Sequence, residues 1–96
     1  MSQEVIDKNE FEIALDSNQG EEIYFNGFAT AMATNDFIIV LTRNGKERAV
    51  LNTSHVTAKA LASRINESIQ KFEQKTKTTI LTAEQLLALE TEDHHA

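Results

Sequence analysis

The sequence predicts an α+β fold in which an antiparallel β-meander of about four strands precedes one long amphipathic helix and a short C-terminal helix. Three observations support this prediction: an alternating apolar segment near the N-terminus, an Asn-Gly turn between two β-rich segments, and a helical apolar period in the second half. A chain of 96 residues fits a single domain, residues 1–96, and we expect 1–9 and 91–96 to be flexible.

The first two strands are expected before residue 35. The segment EFEIALD, residues 10–16, alternates between apolar and mostly acidic side chains, which is typical of a half-buried strand. The segment EEIYFNGFATAMAT, residues 21–34, is β-branched and aromatic at its start. Gly27 inside this second segment indicates a bulge or a close backbone approach, so we expect a strand with an irregular centre.

The Asn44-Gly45 pair lies between FIIVLTR and KERAVLN and is a strong hairpin signal. A two-residue type I′ turn needs positive φ at both central positions, which asparagine and glycine tolerate. Such a turn also determines the register of the two strands on either side of it. The predicted pairs are Arg43 with Lys46, Leu41 with Arg48, Ile39 with Val50, and Ile38 with Leu51.

Neither face of this hairpin is polar near its base. In the predicted register, one face carries Phe37, Ile39, Leu41 and Val50. The other face carries Ile38, Val40, Ala49 and Leu51. Apolar side chains on both faces of a sheet require a cover on each side, from a helix or from another subunit.

Two helices are expected after the hairpin. Ser54 is a suitable N-cap for the first helix. Its apolar stripe, which would cover one face of the sheet, consists of Ala58, Leu61, Ile65, Ile69 and Phe72. Thr82 and Gln85 form a capping-box pattern that predicts a second helix over about 82–90. This helix carries the leucines Leu86, Leu87 and Leu89.

Charge is unevenly distributed along a chain whose net charge is -6. Residues 1–36 hold eight acids and one lysine, 37–77 hold eight cations and three acids, and 78–96 hold four acids. The basic middle segment therefore lies between two acidic ends. We expect the acidic ends to lie over the basic middle, within one chain or across subunits.

The composition excludes several classes of protein. No apolar run reaches the roughly 18 residues that a membrane helix needs, so no membrane partner is expected. The N-terminal segment MSQEVIDKNE lacks the pattern of a secretory signal, which favours a cytoplasmic protein. The absence of cysteine removes disulfides, thiolate catalysis and cysteine-ligated metals.

No enzyme motif is recognisable, and we expect neither catalysis nor a cofactor. His55 stands alone at a helix start, without a serine or carboxylate placed beside it by the sequence. His94 and His95 are metal-ligand types, but adjacent histidines on a terminal tail lack a fixed geometry, so no metal site is expected. A small-molecule or enzyme site beneath Tyr24, Asn26 and His55 is a third hypothesis, which requires these three side chains to converge.

The leading hypothesis is a small, non-enzymatic interaction or assembly protein. It would self-associate through its sheet or its C-terminal helix, as a homodimer or a larger homo-oligomer, and present that surface to a further protein partner. The residues expected at the interface are Ile38, Val40, Leu51, Leu86, Leu87 and Leu89.

The alternative hypothesis is a module that binds nucleic acid or another anionic ligand. Its contacts would be the cations of the hairpin end, together with lysines and arginine of the long helix. The hairpin cations are Arg43, Lys46 and Arg48, and we refer to them as the basic tip. A pI of about 4.9 and aromatic residues placed in core patterns make a nucleic-acid partner the less favoured reading.

The stretch 22–80 resembles a family of short bacterial and archaeal proteins grouped as domain of unknown function 3467. The resemblance rests on Asn26, the Asp36-Phe37 pair, the Thr53-Ser54 helix entry, Ala58-Lys59 with Leu61, and the segment Lys71 to Glu73 before Ile80. It covers about sixty residues. It implies no activity, cofactor or catalytic residue.

Overall fold

The computed structural model describes residues 6–17 and 20–93, with side chains as far as residue 90. Its elements are α1 (Lys8–Asp16), β1 (Gly27–Met32), β2 (Phe37–Arg43), β3 (Lys46–Thr53), α2 (His55–Thr76) and α3 (Ala83–Asp93). The strands form one antiparallel sheet in the order β1-β2-β3. The α+β class is confirmed, with three strands in the described residues instead of about four.

The missing strand is the segment 10–16, which lies in helix α1. The Asp7 carboxylate accepts a hydrogen bond of 2.8 Å from the Glu10 amide, and the Ser17 amide donates to the Ile13 carbonyl at 2.9 Å. Phe11 and Leu15 are four residues apart, so the same seven residues satisfy a helical period as well as an alternating one. The N-cap satisfies a helix-end amide and favours the helix.

The chain ends expected to be flexible are partly helical. Residues 8 and 9 belong to α1, and 91–93 belong to α3. Residues 1–5 and 94–96 lie outside the described residues, so the prediction for them, including His94 and His95, stays a prediction.

Strand β1 begins only at Gly27, and residues 21–25 have no regular secondary structure. The Asn26 amide donates to the Thr42 carbonyl at 3.0 Å and so begins the pairing with β2. A Cβ atom at Gly27 would collide with the Thr42 hydroxyl oxygen. Gly27 therefore marks a close approach of neighbouring strands, one of the two readings that its position in the sequence indicated.

The hairpin turn has the predicted conformation, but the register of β2 and β3 differs from the prediction beyond the second residue pair. Asn44 has φ 52° and Gly45 has φ 82°, and Arg43 pairs with Lys46. A β-bulge next to Leu41 and Thr42 leaves Arg48 as the extra residue on β3. The observed pairs are then Leu41 with Ala49, Val40 with Val50, Ile39 with Leu51, and Ile38 with Asn52.

This one-residue shift changes the composition of both sheet faces. The first face carries Phe28, Met32, Phe37, Ile39, Leu41, Ala49 and Leu51. The second face carries Gly27, Ala29, Ala31, Ile38, Val40 and Val50. The prediction that Ile38, Val40 and Leu51 share a face is therefore wrong, because each added residue moves later side chains to the opposite side.

Helix α2 begins as the sequence predicts. The Thr57 amide donates to the Ser54 hydroxyl at 3.1 Å, and the Ala58 amide donates to the Ser54 carbonyl at 2.9 Å. Its C-terminus has a Schellman-type bond of 3.2 Å from the Thr78 amide to the Glu73 carbonyl, with Lys77 at φ 56°. The Glu73 carboxylate also accepts a bond of 2.7 Å from the Ile80 amide, which holds the following loop against the helix end.

Helix α3 has the full capping box. The Gln85 amide donates to the Thr82 hydroxyl at 3.2 Å, while the Thr82 amide donates to the Gln85 side-chain oxygen at 2.8 Å. The helix extends to Asp93, three residues beyond its expected end. Among the described residues, no helix has both the length and the apolar content that crossing a membrane requires.

The described residues form two compact units, one ending at Leu61 and the other beginning at Ala62, and α2 contributes to both. In the first unit, Leu41 in the central strand is 6% exposed. It is the one buried apolar residue among the described residues. The core is therefore very small, and most of the large apolar side chains named above remain exposed.

Candidate interaction surfaces

The first face of the sheet exposes two large side chains on its edge strand β1. Phe28 is 71% exposed and Met32 is 68% exposed, although the β2 residues with which they pair are buried or half-buried. Leu51 on β3 is exposed on the same face. These three residues form an apolar border around Leu41, and we refer to them with Leu41 as the sheet surface.

The second face of the sheet is made differently. Its β1 residues are Gly27, Ala29 and Ala31, so little side-chain surface is present there. Ile38 and Val40 in the central strand are half-buried, while Val50 is exposed. Of the predicted sheet interface residues, Leu51 is thus the most exposed, and it lies on the opposite face from the other two.

The three leucines of α3 are all exposed, with values between 47% and 64%. Leu86 and Leu89 are three residues apart and lie on one side of the helix, while Leu87 is turned by about 100° from Leu86. The predicted surface on the C-terminal helix is therefore present as an exposed apolar side. We refer to Leu86 and Leu89 as the α3 surface.

Helix α2 carries a further exposed surface, the apolar stripe that was expected to cover one face of the sheet. Thr57, Ala58 and Ala60 are half-buried. The large residues of the stripe are exposed by 36% to 51%, and they are Leu61, Ile65, Ile69 and Phe72. Their helical spacing predicted the stripe correctly, but the prediction that it would be covered is wrong for these four residues.

The opposite side of α2 carries an ion-pair group in contact with solvent. The Glu67 carboxylate lies 3.0 Å from the Lys71 ammonium and 4.0 Å from the Arg64 guanidinium. The hydrogen bond and charge of Lys71, followed by the charge of Arg64, lower the pKa of Glu67 from its ordinary value of 4.5. Because Glu67 is two residues from Ile65, these charges mark the polar side of an amphipathic helix.

The basic tip is held by contacts to the segment that precedes β1. The Asn26 side-chain amide donates to the Asn44 side-chain oxygen, and the Asn44 backbone amide donates to the Asn26 side-chain oxygen, both at 2.9 Å. The Arg43 guanidinium lies 5.4 Å from the centre of the Tyr24 ring. This cation-π contact gives the Arg43 guanidinium an aromatic partner beside Lys46, its cross-strand neighbour of like charge.

None of the three tip cations forms an ion pair within the part of the chain that is described. Glu47 is the one acid in the β3 segment beside them. Arg48 occupies the bulge, so it has no cross-strand partner in the β2–β3 register. The tip is thus an exposed cationic group whose backbone and one guanidinium are positioned by neighbouring residues.

His55 has a structural role at the other end of the sheet. Its Nε2 atom lies 2.9 Å from the Ala33 carbonyl and 3.2 Å from the Asp36 carbonyl, and it donates because carbonyl oxygens only accept. These contacts hold the β1–β2 turn, whereas Tyr24 and Asn26 lie at the hairpin tip. The third hypothesis is therefore wrong, since its three side chains do not converge.

A shallow cleft of about 490 Å³ lies beside α1 in the first unit. It is lined by Phe11, Ala14, Leu15, Ser17, Gly20, Glu21 and Glu22. Its serine hydroxyl donates to the Ala14 carbonyl, so it is not paired with a base. Across the described residues, no group of three histidine, aspartate or glutamate side chains could hold a metal ion.

No family model, curated protein or solved structure matches this chain. The resemblance of residues 22–80 to domain of unknown function 3467 therefore stays a prediction.

Proposed function

We propose that this chain is a small, cytoplasmic, non-enzymatic interaction or assembly protein that self-associates through its sheet surface and its C-terminal helix. The observation that supports this function is the burial pattern: Leu41, 6% exposed, is the single buried apolar residue among the described side chains. The other large side chains of the sheet surface, those of the α2 stripe and those of the α3 surface are each exposed. A second copy of the same chain is the occupant that these surfaces fit.

Energetic considerations support association. Burial of apolar surface contributes about 25 cal/mol per Å², so one large side chain moved from solvent into an interface contributes about 1 to 2 kcal/mol. A single copy with one buried apolar residue forgoes most of this stabilisation. A domain of this length is marginally stable even with a complete core, so association would stabilise the fold as well as the assembly.

The hydrogen bonds of two side chains support the non-enzymatic part of the proposal. His55 is engaged with two backbone carbonyls, and Ser17 with one. A catalytic serine or histidine would instead need a partner side chain within hydrogen-bond distance.

The proposal is tested by sedimentation velocity on matched pairs of variants. On α3, the double substitution Leu86→Asp with Leu89→Asp is compared with Ala88→Asp, which adds charge to the opposite side of the same helix. On the sheet, Phe28→Asp is compared with Ala29→Asp, the adjacent residue on the other face. We expect the first member of each pair to weaken association at least about tenfold and its control to leave it unchanged. Equal effects within both pairs would remove these two surfaces from the interface.

We infer a second candidate function, anion binding at the basic tip, from the geometry of Arg43. The cation lies over Tyr24, and its turn is held by the Asn26 and Asn44 side chains, so little conformational freedom would be lost on binding a ligand. The ligand class is a polyanion such as nucleic acid or polyphosphate, with Lys46 and Arg48 as further phosphate contacts.

A binding titration at low salt separates this candidate from the first. The probes are a short DNA duplex and inorganic polyphosphate, and the variant replaces Arg43, Lys46 and Arg48 with alanine. The comparison variant replaces Lys59, Lys75 and Lys77 with alanine. It removes the same charge from α2 and its C-terminal end, keeps the ion pairs of Glu67 and tests whether the helix cations also bind. Salt-dependent binding that only the tip variant loses would support the candidate. Absence of binding at low salt, or equal losses in both variants, would contradict it.

A further inference from the structure

We propose that two copies of the chain associate through an antiparallel, two-fold symmetric pair of α2 helices centred on Ile65. This inference rests on the self-association proposed above and names one surface of that assembly. The α2 stripe lies along one continuous helix of 22 residues, about 33 Å long. The second copy is the occupant, for reasons of spacing, size, charge and area.

The spacing of the stripe is symmetric about Ile65. Leu61 and Ile69 are each four residues from it, and Ala58 and Phe72 are each seven residues from it. A two-fold axis perpendicular to the helix at Ile65 therefore brings Leu61 of one copy level with Ile69 of the other, and Ala58 level with Phe72. An isologous interface requires this reciprocity, in which residue i meets residue j and residue j meets residue i.

The sizes of the paired side chains favour the antiparallel arrangement over a parallel one. The large Phe72 ring meets the small Ala58 side chain at both ends of an antiparallel pair. A parallel pair in register would instead oppose Phe72 to Phe72 and Ala58 to Ala58, which overfills one end and leaves a gap at the other. The antiparallel pair fills both ends equally.

The period of the stripe indicates how the two helices run beside each other. Ala58 and Ile69 are eleven residues apart, as are Leu61 and Phe72. An eleven-residue repeat has about 3.67 residues per turn, close to that of a straight α-helix, so it does not impose the left-handed supercoil of a heptad repeat. The two stripes can therefore remain in contact along their length with only a slight right-handed winding.

The charges at the end of α2 favour the same arrangement. Lys75 and Lys77 lie at its C-terminal end, so a parallel pair would place four ammonium groups near one another. The antiparallel pair puts the two lysine groups at opposite ends and aligns the helix dipoles in opposite directions. The ion pairs of Glu67 lie on the far side of each helix and stay in water.

The area available is that of a small interface. Each of the four large stripe residues is about half exposed and offers about 80 Å², so two copies bury about 640 Å² from these residues alone. Flanking atoms bring the total toward about 1,000 Å², the lower end for a specific contact. The pair is thus expected to be concentration-dependent.

Cysteine cross-linking tests the geometry directly, because the chain contains no native cysteine. Three single variants are oxidised separately: Ile65→Cys, Ala58→Cys and Phe72→Cys. We expect only Ile65→Cys to form a disulfide dimer, since the two copies of residue 58, like those of residue 72, lie about 21 Å apart along an antiparallel pair. A mixture of Ala58→Cys and Phe72→Cys should form the mixed disulfide.

The outcomes separate this inference from the function on which it rests. A homodimer disulfide of Ala58→Cys would indicate a parallel pair and contradict the inference. Association of the native chain with no cross-link at any of the three positions would also contradict it, while leaving self-association intact. A chain that stays monomeric at every concentration would contradict both.

A charge substitution provides the independent measurement. Ile65→Asp should weaken association at least about tenfold in sedimentation velocity, whereas Ser63→Asp, on a solvent-facing side of the same helix, should not. Far-ultraviolet circular dichroism should give both variants the helix content of the native chain, which would show that they keep α2. Equal association of Ile65→Asp and Ser63→Asp would contradict the proposed contact.

Discussion

Lys77 ends α2 in the left-handed conformation, with φ 56°. An L side chain at this position crowds the neighbouring carbonyl, and glycine removes that crowding. The Schellman-type bond from Thr78 to Glu73 shows that the backbone needs this conformation to close the helix. Lys77 is therefore a residue where the chain retains local strain that glycine would relieve.

Lys77→Gly is predicted to raise the free energy of unfolding by up to about 1 kcal/mol. Urea denaturation at fixed protein concentration measures the change. The control is Lys75→Gly, which lies inside the last turn of α2 and should lower the free energy of unfolding by about 1 kcal/mol. A loss of stability in Lys77→Gly would contradict the account of this helix end.

Glu67 gives α2 a defined pH dependence. Lys71 and Arg64 hold its pKa below 4.5 in the folded chain. A lowered pKa in the folded state means that the ion-pair contribution is complete above the ordinary glutamate pKa and is lost as the pH falls through the folded value. The ion pairs of Glu67 therefore stabilise the fold in neutral and mildly acidic solution.

The prediction is that Glu67→Gln lowers stability slightly at neutral pH and that this difference disappears in acid. Thermal denaturation of both chains, followed from about pH 6 to about pH 2.5, measures the difference. Glu12→Gln serves as the control, because Glu12 forms no ion pair within the described chain. A difference between Glu67→Gln and the native chain that grows as the pH falls would contradict the sign of the pKa change.

At the scale of elements, α3 depends on its N-terminal cap. An eleven-residue helix with exposed leucines has little stability of its own, and the reciprocal bonds between Thr82 and Gln85 satisfy two of its end groups. Removal of this cap should unfold α3 before the sheet is affected.

Thr82→Ala is predicted to destabilise α3 by about 1 kcal/mol. Hydrogen exchange of the amides in 86–90 should accelerate about fivefold, while those of β2 should not change. Thr79→Ala, in the loop before the helix, is the matched control. Unchanged exchange in α3 of the Thr82→Ala chain would show that the helix is held by something other than its cap.

Elements marked by short-range hydrogen bonds were predictable from the sequence. Each depends on residues at most three positions apart. In the Asn44-Gly45 turn, the two residues tolerate positive φ. In the Ser54 cap and the Thr82 capping box, a side chain bonds to a nearby backbone amide. All three are present in the structure. The α3 leucines and the α2 stripe also follow from helical spacing, which a single sequence contains in full.

Two features could not be predicted from pattern alone. In EFEIALD, seven residues satisfy both an alternating and a helical period, and the cap at Asp7 is the one signal that could have favoured the helix. The bulge at Arg48 has no glycine or proline to mark it, so nothing in the sequence distinguished the two registers. That single residue decided which face carries Leu51.

At the scale of the whole molecule, the charge distribution determines whether association between copies should depend on salt. The basic middle segment and the acidic ends were expected to lie over each other, but the ion pairs of the described residues all involve Glu67 within α2. No ion pair among the described residues therefore joins the basic middle segment to an acidic end, and contact of these segments across subunits stays a prediction. Apolar association should persist at high salt, whereas association through charge would weaken, because salt screens charges and leaves apolar burial favourable.

The measurement that tests the central claim most directly is the solution mass by light scattering after size exclusion. It should be made at low and high salt and over a wide range of protein concentration. Self-association through apolar surfaces predicts a mass above 10.8 kDa that rises with concentration and persists at high salt. A mass of one chain at every concentration and salt condition would contradict it.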